Sequence, residues 1–180
     1  MHLVVELFFD RAAEAAVRAV WRALAEEVPQ GFAGARARPH VSVTVYEELE
    51  VAGFRTALAA FAAERPPLEV RLESWSAFAT GRVVFLAPVV TRDLLALHEE
   101  FHRRFAAFGA ALAYHRPGDW IPHCTLAAGF PTDLLPKVAE LCHRTVRPIR
   151  GRIERIGLVE YAPRWAHCTF PFGATGRSGR

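Results

Sequence analysis

Four tripeptides of the form His-x-Ser/Thr occur in the 180-residue chain: His40-Val41-Ser42, His123-Cys124-Thr125, His143-Arg144-Thr145 and His167-Cys168-Thr169. Eight histidines and 13 serines and threonines would give about 0.6 such matches by chance, so one alone says little. Context separates them. Pro39-His40-Val41-Ser42-Val43 and Pro122-His123-Cys124-Thr125-Leu126 share a proline before the histidine and an aliphatic residue after the hydroxyl. His143 falls at the end of a helical pattern, where residues i and i+2 point in different directions. His167 follows an alanine and reads as an ordinary residue of a terminal strand. On a strand, residues i and i+2 project from the same face, so His40 stands beside Ser42 and His123 beside Thr125. Two imidazoles facing one phosphate supply a base and an acid that both work near neutrality. Hydroxyls beside them can hydrogen-bond phosphoryl oxygens as negative charge builds up. This chemistry requires no metal and no cofactor.

The elements that would position these residues are legible from periodicity. His2 to Phe9 alternates as a strand, and Asp10 can cap a helix over Arg11 to Glu27 whose Ala13, Val17, Val20, Trp21 and Leu24 recur at helical spacing. A loop from Pro29 to Pro39 precedes a strand over Val41 to Tyr46, and a second helix over Val51 to Glu64 ends at Pro66-Pro67. Strands over Leu68 to Phe78 and Val83 to Val90 are joined by the turn chemistry of Thr80-Gly81. A third helix runs from Thr91 to Phe108, followed by a short strand over Ala111 to His115, a turn at Pro117-Gly118-Asp119 and a strand over His123 to Ala128. A fourth helix over Thr132 to Arg144 and strands over Ile153 to Tyr161 and His167 to Phe172 complete the order. The pattern predicts an α+β fold: two pseudo-symmetric lobes of antiparallel sheet, helices outside, and a central cleft into which each half sends one Pro-His strand. Residues 1–172 read as a single bilobal domain and 173–180 as a flexible basic tail.

With these residues in view, the chain resembles the 2H phosphoesterase superfamily, the group of bacterial 2′-5′ RNA ligase-like proteins and RNA 2′,3′-cyclic phosphodiesterases. The resemblance rests on His40-Val41-Ser42-Val43 and His123-Cys124-Thr125-Leu126, with support from Trp120-Ile121-Pro122 before the second motif and Val84-Phe85-Leu86 ahead of a Leu-His helix. It spans residues 1–172. Ser42 stands where threonine is commoner. The resemblance implies a cleft that binds a cyclic phosphate or a 2′,5′ linkage, with His40 and His123 catalytic and Ser42 and Thr125 holding the phosphate. It also implies His123 as base and His40 as acid, an assignment the sequence itself leaves open. The expected partners are RNA 3′ ends or small cyclic nucleotides, with no membrane and no obligate protein partner.

Further candidates surround the motifs. Arg36, Arg38 and Arg116 lie in loops just ahead of the motif strands, where they could meet a phosphate or remain solvated. Tyr46, Trp120 and Phe130 could stack on a base or belong to the core. A rival chemistry is written into His98-Glu99-Glu100-Phe101-His102, which matches the zinc-binding H-E-x-x-H pattern. No Gly-x-x-His extension follows, and Leu94, Leu97, Phe101, Phe105 and Phe108 form the apolar stripe, so the two histidines read as the solvent-facing flank of an amphipathic helix. A non-catalytic module binding RNA ends or nucleotides is the other alternative, and two intact motifs speak against it.

Composition narrows the class. A 52% hydrophobic content supplies a core, and no apolar run approaches the ~20 residues of a membrane span. MHLVVELFFDR reads as a strand without the features of a signal peptide, and three cysteines in apolar surroundings suit reduced thiols, so the expectation is a cytoplasmic protein. The charge of +3 and pI of about 9.1 accommodate a phosphate-bearing partner. Such a modest excess predicts no extended track for a long RNA, only for its end or a nucleotide. Lys137 is the single lysine, so the positive charge is nearly all arginine.

Overall fold

The computed structural model describes residues 2–28, 37–79, 82–161 and 164–173. Arg36, the Thr80-Gly81 turn and residues 174–180 of the tail lie outside them. Strand β1 (His2–Phe9) leads into helix α1 (Arg11–Glu27), then β2 (His40–Tyr46), α2 (Val51–Ala63) and β3 (Leu68–Ala77). Strand β4 (Val83–Pro88) leads into α3 (Arg92–Phe105), then β5 (Cys124–Ala128), α4 (Leu135–Thr145), β6 (Ile149–Tyr161) and β7 (Trp165–Pro171).

All strand pairs are antiparallel, in the order β2-β1-β6-β3-β4-β5, with β7 also on β6. The order is a palindrome: exchanging β1 with β4, β2 with β5 and β3 with β6 reverses it onto itself. The helices obey the same exchange, since α1 and α3 each precede a motif strand and α2 and α4 each follow one. The two expected lobes are therefore real, and they share a strand. Residues 153–161 of β6 pair with β1, residues 149–153 pair with β3, and β7 takes the remaining edge beside residues 155–160. The far strands of this order, β2 and β5, carry the two motifs and come within 8 Å of each other.

Side-chain alternation explains which face is covered. Leu3, Val5, Leu7 and Phe9 of β1 join Val17, Trp21 and Leu24 of α1 in the core. Phe54 and Phe61 of α2 meet Phe101 and Phe105 of α3 with ring centroids 4.9–6.4 Å apart. Asp10 fixes where α1 begins: one carboxylate oxygen accepts from the Ala13 N–H at 2.8 Å, and the other accepts from the Arg152 N–H of β6 at 2.6 Å. Gly151 lets the helix approach the sheet, because a Cβ there would stand 2.6 Å from that of Ala13.

Some expected boundaries shift for identifiable reasons. Ala111 to His115 is not a strand: after one bridge between Ala111 and Tyr46 the chain turns into a 3₁₀ helix over Ala113–His115, which brings the His115 carbonyl under α3. Helix α3 ends at Phe105, and the fourth helix opens with a 3₁₀ turn, Thr132–Leu134, before Leu135. Strand β6 begins at Ile149, four residues before the apolar alternation, because Arg150 and Arg152 are exposed sheet positions opposite Arg71 and Glu69 of β3. No helix among the described residues is long and apolar enough to cross a membrane, and Cys124, Cys142 and Cys168 are buried free thiols.

The Asp10 carboxylate joins helix to sheet through both oxygens. Asp10→Ala is expected to lower unfolding free energy by about 1–3 kcal/mol in urea titration, more than an ordinary cap loss.

Candidate active site

His40 opens β2 and His123 immediately precedes β5; both side chains are partly exposed. Each ring is held in the same way. His40 Nδ1 lies 2.7 Å from the Arg38 carbonyl, and His123 Nδ1 lies 2.7 Å from the Ile121 carbonyl, two residues back in both cases. A carbonyl only accepts, so each Nδ1 carries the hydrogen and donates it. Nε2 is left as the nitrogen that can take or give a proton. The proline between carbonyl and histidine (Pro39, Pro122) favours extended backbone at the residue before it, the shape this i−2 bond requires.

Ser42 and Thr125 sit two residues on, partly exposed on the same faces as their histidines. Each of their backbone carbonyls accepts an indole N–H from the opposite half of the molecule. Trp21 of α1 donates to the Thr125 carbonyl at 3.0 Å, and Trp120, ahead of β5, donates to the Ser42 carbonyl at 2.9 Å. The two strands are thereby pinned across the pseudo-twofold. Burial pushes the Cys124 thiol up to about 12, so this sulfur is neutral and serves packing.

The two imidazoles differ in surroundings. His123 is packed against Phe78 and Phe85, with ring centroids at 5.0 and 5.3 Å. Burial lowers its pKa from the usual histidine value, the Ile121 hydrogen bond opposes this, and the charge of nearby His40 lowers it further. His40 faces a carboxylate: Glu6 Oε1, fully buried on β1, lies 3.3 Å from His40 Nε2. Glu6 itself accepts from Arg164 at 2.9 and 3.2 Å and from the Tyr161 hydroxyl.

The other candidates are placed as follows. Arg38 donates to Glu14 at 2.7 Å and lies over the Phe8 ring at 4.7 Å, beside His40 in the register of β1 and β2. Arg116 bonds the Ala111 carbonyl and lines a separate hollow with Tyr46 and His102. Tyr46 and Phe130 are buried in the core, so neither presents a face to a base. Trp120 is stacked on His98 with rings 3.9 Å apart and 3° from parallel, which commits one of its faces. His143 is exposed on α4, and His167 pairs with Glu160 at 2.9 Å.

His98 is a correction. It lies buried under Trp120 rather than on a solvent-facing flank, and its Nε2 is 3.2 and 3.0 Å from the Val43 and His115 carbonyls. Two carbonyl acceptors require a hydrogen on that nitrogen, so its lone pair cannot face a metal. Glu99 points to solvent, and no cluster of three or more metal-ligating side chains exists among the described residues. The H-E-x-x-H pattern thus describes a core histidine that ties α3 to β2. Sequence reasoning missed Glu6, Tyr161, Arg164 and Phe78. The one available signal was Glu6, a lone carboxylate inside the apolar run Leu3 to Phe9.

It also missed a basic strip. Arg155 pairs with Phe8, which pairs with His40, so all three share a face. Gly151 faces α1, which turns Arg150 and Arg152 toward the opposite, open side.

The family model described as the 2′-5′ RNA ligase superfamily matches residues 8–165. The fold is similar to that of TT0787 of Thermus thermophilus, with TM-score 0.67 and 18% identity over 98% of this chain and 100% of that one. It is also similar to E. coli LigT complexed with 3′-AMP, with TM-score 0.63 and 16% identity over 96% and 98% of the two chains. Kluyveromyces marxianus Usb1 gives TM-score 0.51 and 12% identity over 94% and 97%. No curated protein matches the sequence.

Burial pushes His98 and His115 down to about 4, against an ordinary value of 6.5. A histidine whose folded value is depressed is protonated first in the unfolded chain, so stability is complete above pH 6.5 and is lost as pH falls toward 4. Urea midpoints measured across that window are expected to fall with pH, at up to about 1.4 kcal/mol per unit for each group. Replacing His98 by Gln should flatten the slope.

Proposed function

Because the chain belongs to the 2′-5′ RNA ligase superfamily, we propose that it is a metal-independent phosphodiesterase that opens 2′,3′-cyclic phosphates at RNA 3′ ends or on nucleotides. The observation that carries this reading is the matched pair of histidines. Each is locked as its Nδ1–H form by an i−2 carbonyl, each has Nε2 as its working nitrogen, and each has a hydroxyl beside it on a motif strand facing the other.

In this reaction a water oxygen attacks phosphorus while one Nε2 removes its proton. The new P–O bond forms opposite the ribose oxygen that leaves, and the second Nε2–H gives that oxygen a proton as its bond to phosphorus breaks. The ring opens to a phosphomonoester, and the two histidines finish with their protons exchanged. Ser42 and Thr125 supply hydrogen bonds to the non-bridging oxygens as charge accumulates there. The same sequence with a ribose hydroxyl in place of water is ligation by the same groups, and its reverse is cleavage of the linkage so formed.

Substrate size is the finer point. LigT has been crystallised with 3′-AMP, with NADP+ and with ATP, which supports a nucleotide-sized pocket in this fold. In this chain Arg155 shares the open face with His40, and Arg152 and Arg150 continue along β6 beside Glu69 and Glu73 of β3, which supports the end of an RNA strand as ligand, its preceding phosphates lying along β6. Phe78, partly exposed against His123, can stack on the terminal base.

Hydrolysis of 2′,3′-cyclic nucleotides and of RNAs ending in cyclic phosphate, measured with EDTA present, tests the proposal. His40→Ala and His123→Ala should each lose about 10²–10⁴-fold in kcat with unchanged circular dichroism. Ser42→Ala and Thr125→Ala should each lose roughly 100-fold. Wild-type rates in either histidine variant on both substrate types would overturn the reading. The acid limb of the rate profile should lie below pH 6.5, because burial lowers the proton affinity of His123.

A further inference from the structure

The middle of β1 contains a carboxylate that an apolar side chain could have replaced. Glu6 is fully buried between Val5 and Leu7, and its strand is otherwise apolar from Leu3 to Phe9. Burying an ion pair costs desolvation that its mutual attraction often fails to repay, so packing alone gives no reason for it. Its surroundings give one. Arg164 donates to both carboxylate oxygens, at 2.9 and 3.2 Å, and the Tyr161 hydroxyl donates to Oε1 while accepting from Arg164. These donors fix Glu6 in place. Among the described residues the one remaining polar partner of Oε1 is His40 Nε2 at 3.3 Å, the working nitrogen of that ring in the proposed reaction.

Resting on the phosphodiesterase reading, in which the family resemblance makes His40 the proton donor and His123 the acceptor, we infer that Glu6 is a positioning residue that holds the His40 ring and supports its positive charge. With Nδ1–H on the Arg38 carbonyl and Nε2–H toward Glu6, the His40 imidazolium has an acceptor on each side. Among the described residues its other charged or titratable neighbours are Arg38 ahead of β2, His123 just before β5, the neutral Cys124 thiol of β5, Tyr161 at the end of β6 and Arg164 just ahead of β7. His123 has no such support: among the described residues no carboxylate pairs with it, and aromatic rings line its side. At 3.3 Å the Glu6 contact is loose enough for Nε2–H to swing to a leaving ribose oxygen, deliver its proton as the P–O bond breaks, and be reprotonated from solvent.

The test is a contrast between leaving groups. A ribose oxygen needs a proton to leave, whereas p-nitrophenolate does not. Glu6→Gln is expected to lose at least about tenfold in kcat on a 2′,3′-cyclic nucleotide and little on a nucleoside p-nitrophenyl phosphodiester. The alkaline limb of its rate profile should move to lower pH while the acid limb, set by His123, stays. Equal losses on both esters, or an unmoved alkaline limb, would overturn the assignment. Ring nitrogen resonances of His40 at fixed pH provide a readout that needs no turnover: they should show less imidazolium in Glu6→Gln than in wild type, and no difference would refute it. A wild type that cleaves neither ester removes the phosphodiesterase reading, and the resonances still decide the role of Glu6. If Glu6→Gln alone does not fold, Glu6→Gln with Arg164→Met leaves no charge unpaired and should show the same contrast.

Discussion

Strand β6 hydrogen-bonds to β1 along residues 153–161 and to β3 along residues 149–153, so the two halves of the molecule are halves of one sheet. Everything about the site depends on that sharing. Because the strand order is palindromic about the β6–β3 pair, the last strands on each side are equivalent, and they are the two strands that carry Pro-His-x-Ser/Thr. A hinge between separate sheets would leave the distance between those histidines free. A shared strand fixes it in the backbone ladder.

Cross-lobe hydrogen bonds refine what the sheet establishes. The Trp21 and Trp120 indoles each bind the carbonyl of the hydroxyl residue in the other half's motif, and His98 binds the Val43 carbonyl from α3. Trp21 and His98 are buried and Trp120 partly buried, so all three combine ring packing with a directional bond to a motif strand. The edges β2 and β5, which would otherwise expose unpaired backbone, are steadied where the motif histidines emerge. The symmetry ends at the charges. One histidine meets a clamped carboxylate and the other meets two phenylalanine rings, a difference on which the proposed division of roles rests.

Much of this was legible in the sequence where a local rule coincides with a global one. Asp10 caps α1, the apolar spacing of Val17, Trp21 and Leu24 marks its buried face, and the proline-flanked motifs mark the paired strands. Legibility failed where tertiary partners decide. Arg150 and Arg152 break the apolar alternation, yet they belong to β6 because β3 pairs with them and their side chains reach solvent. His98 falls on the helix flank by periodicity and is buried because Trp120 and two carbonyls cover it. Tyr46 and Phe130 are aromatic residues near the motifs that pack inward, while Phe78, which no motif flags, reaches His123 through the β3–β4 hairpin. Glu6 and Arg164 are 158 residues apart and meet only because β1 pairs with β6.

The central claim is that two Nε2 atoms address one phosphate from opposite sides. It is tested most directly by a crystal structure with a nucleoside 2′,3′-cyclic vanadate, which mimics the five-coordinate phosphorus of the reaction. The expected result is one apical oxygen within hydrogen-bonding distance of His123 Nε2, the other within that distance of His40 Nε2, and Ser42 and Thr125 on the equatorial oxygens. An analogue seated away from the pair, or touched by only one of the two histidines, would contradict the account.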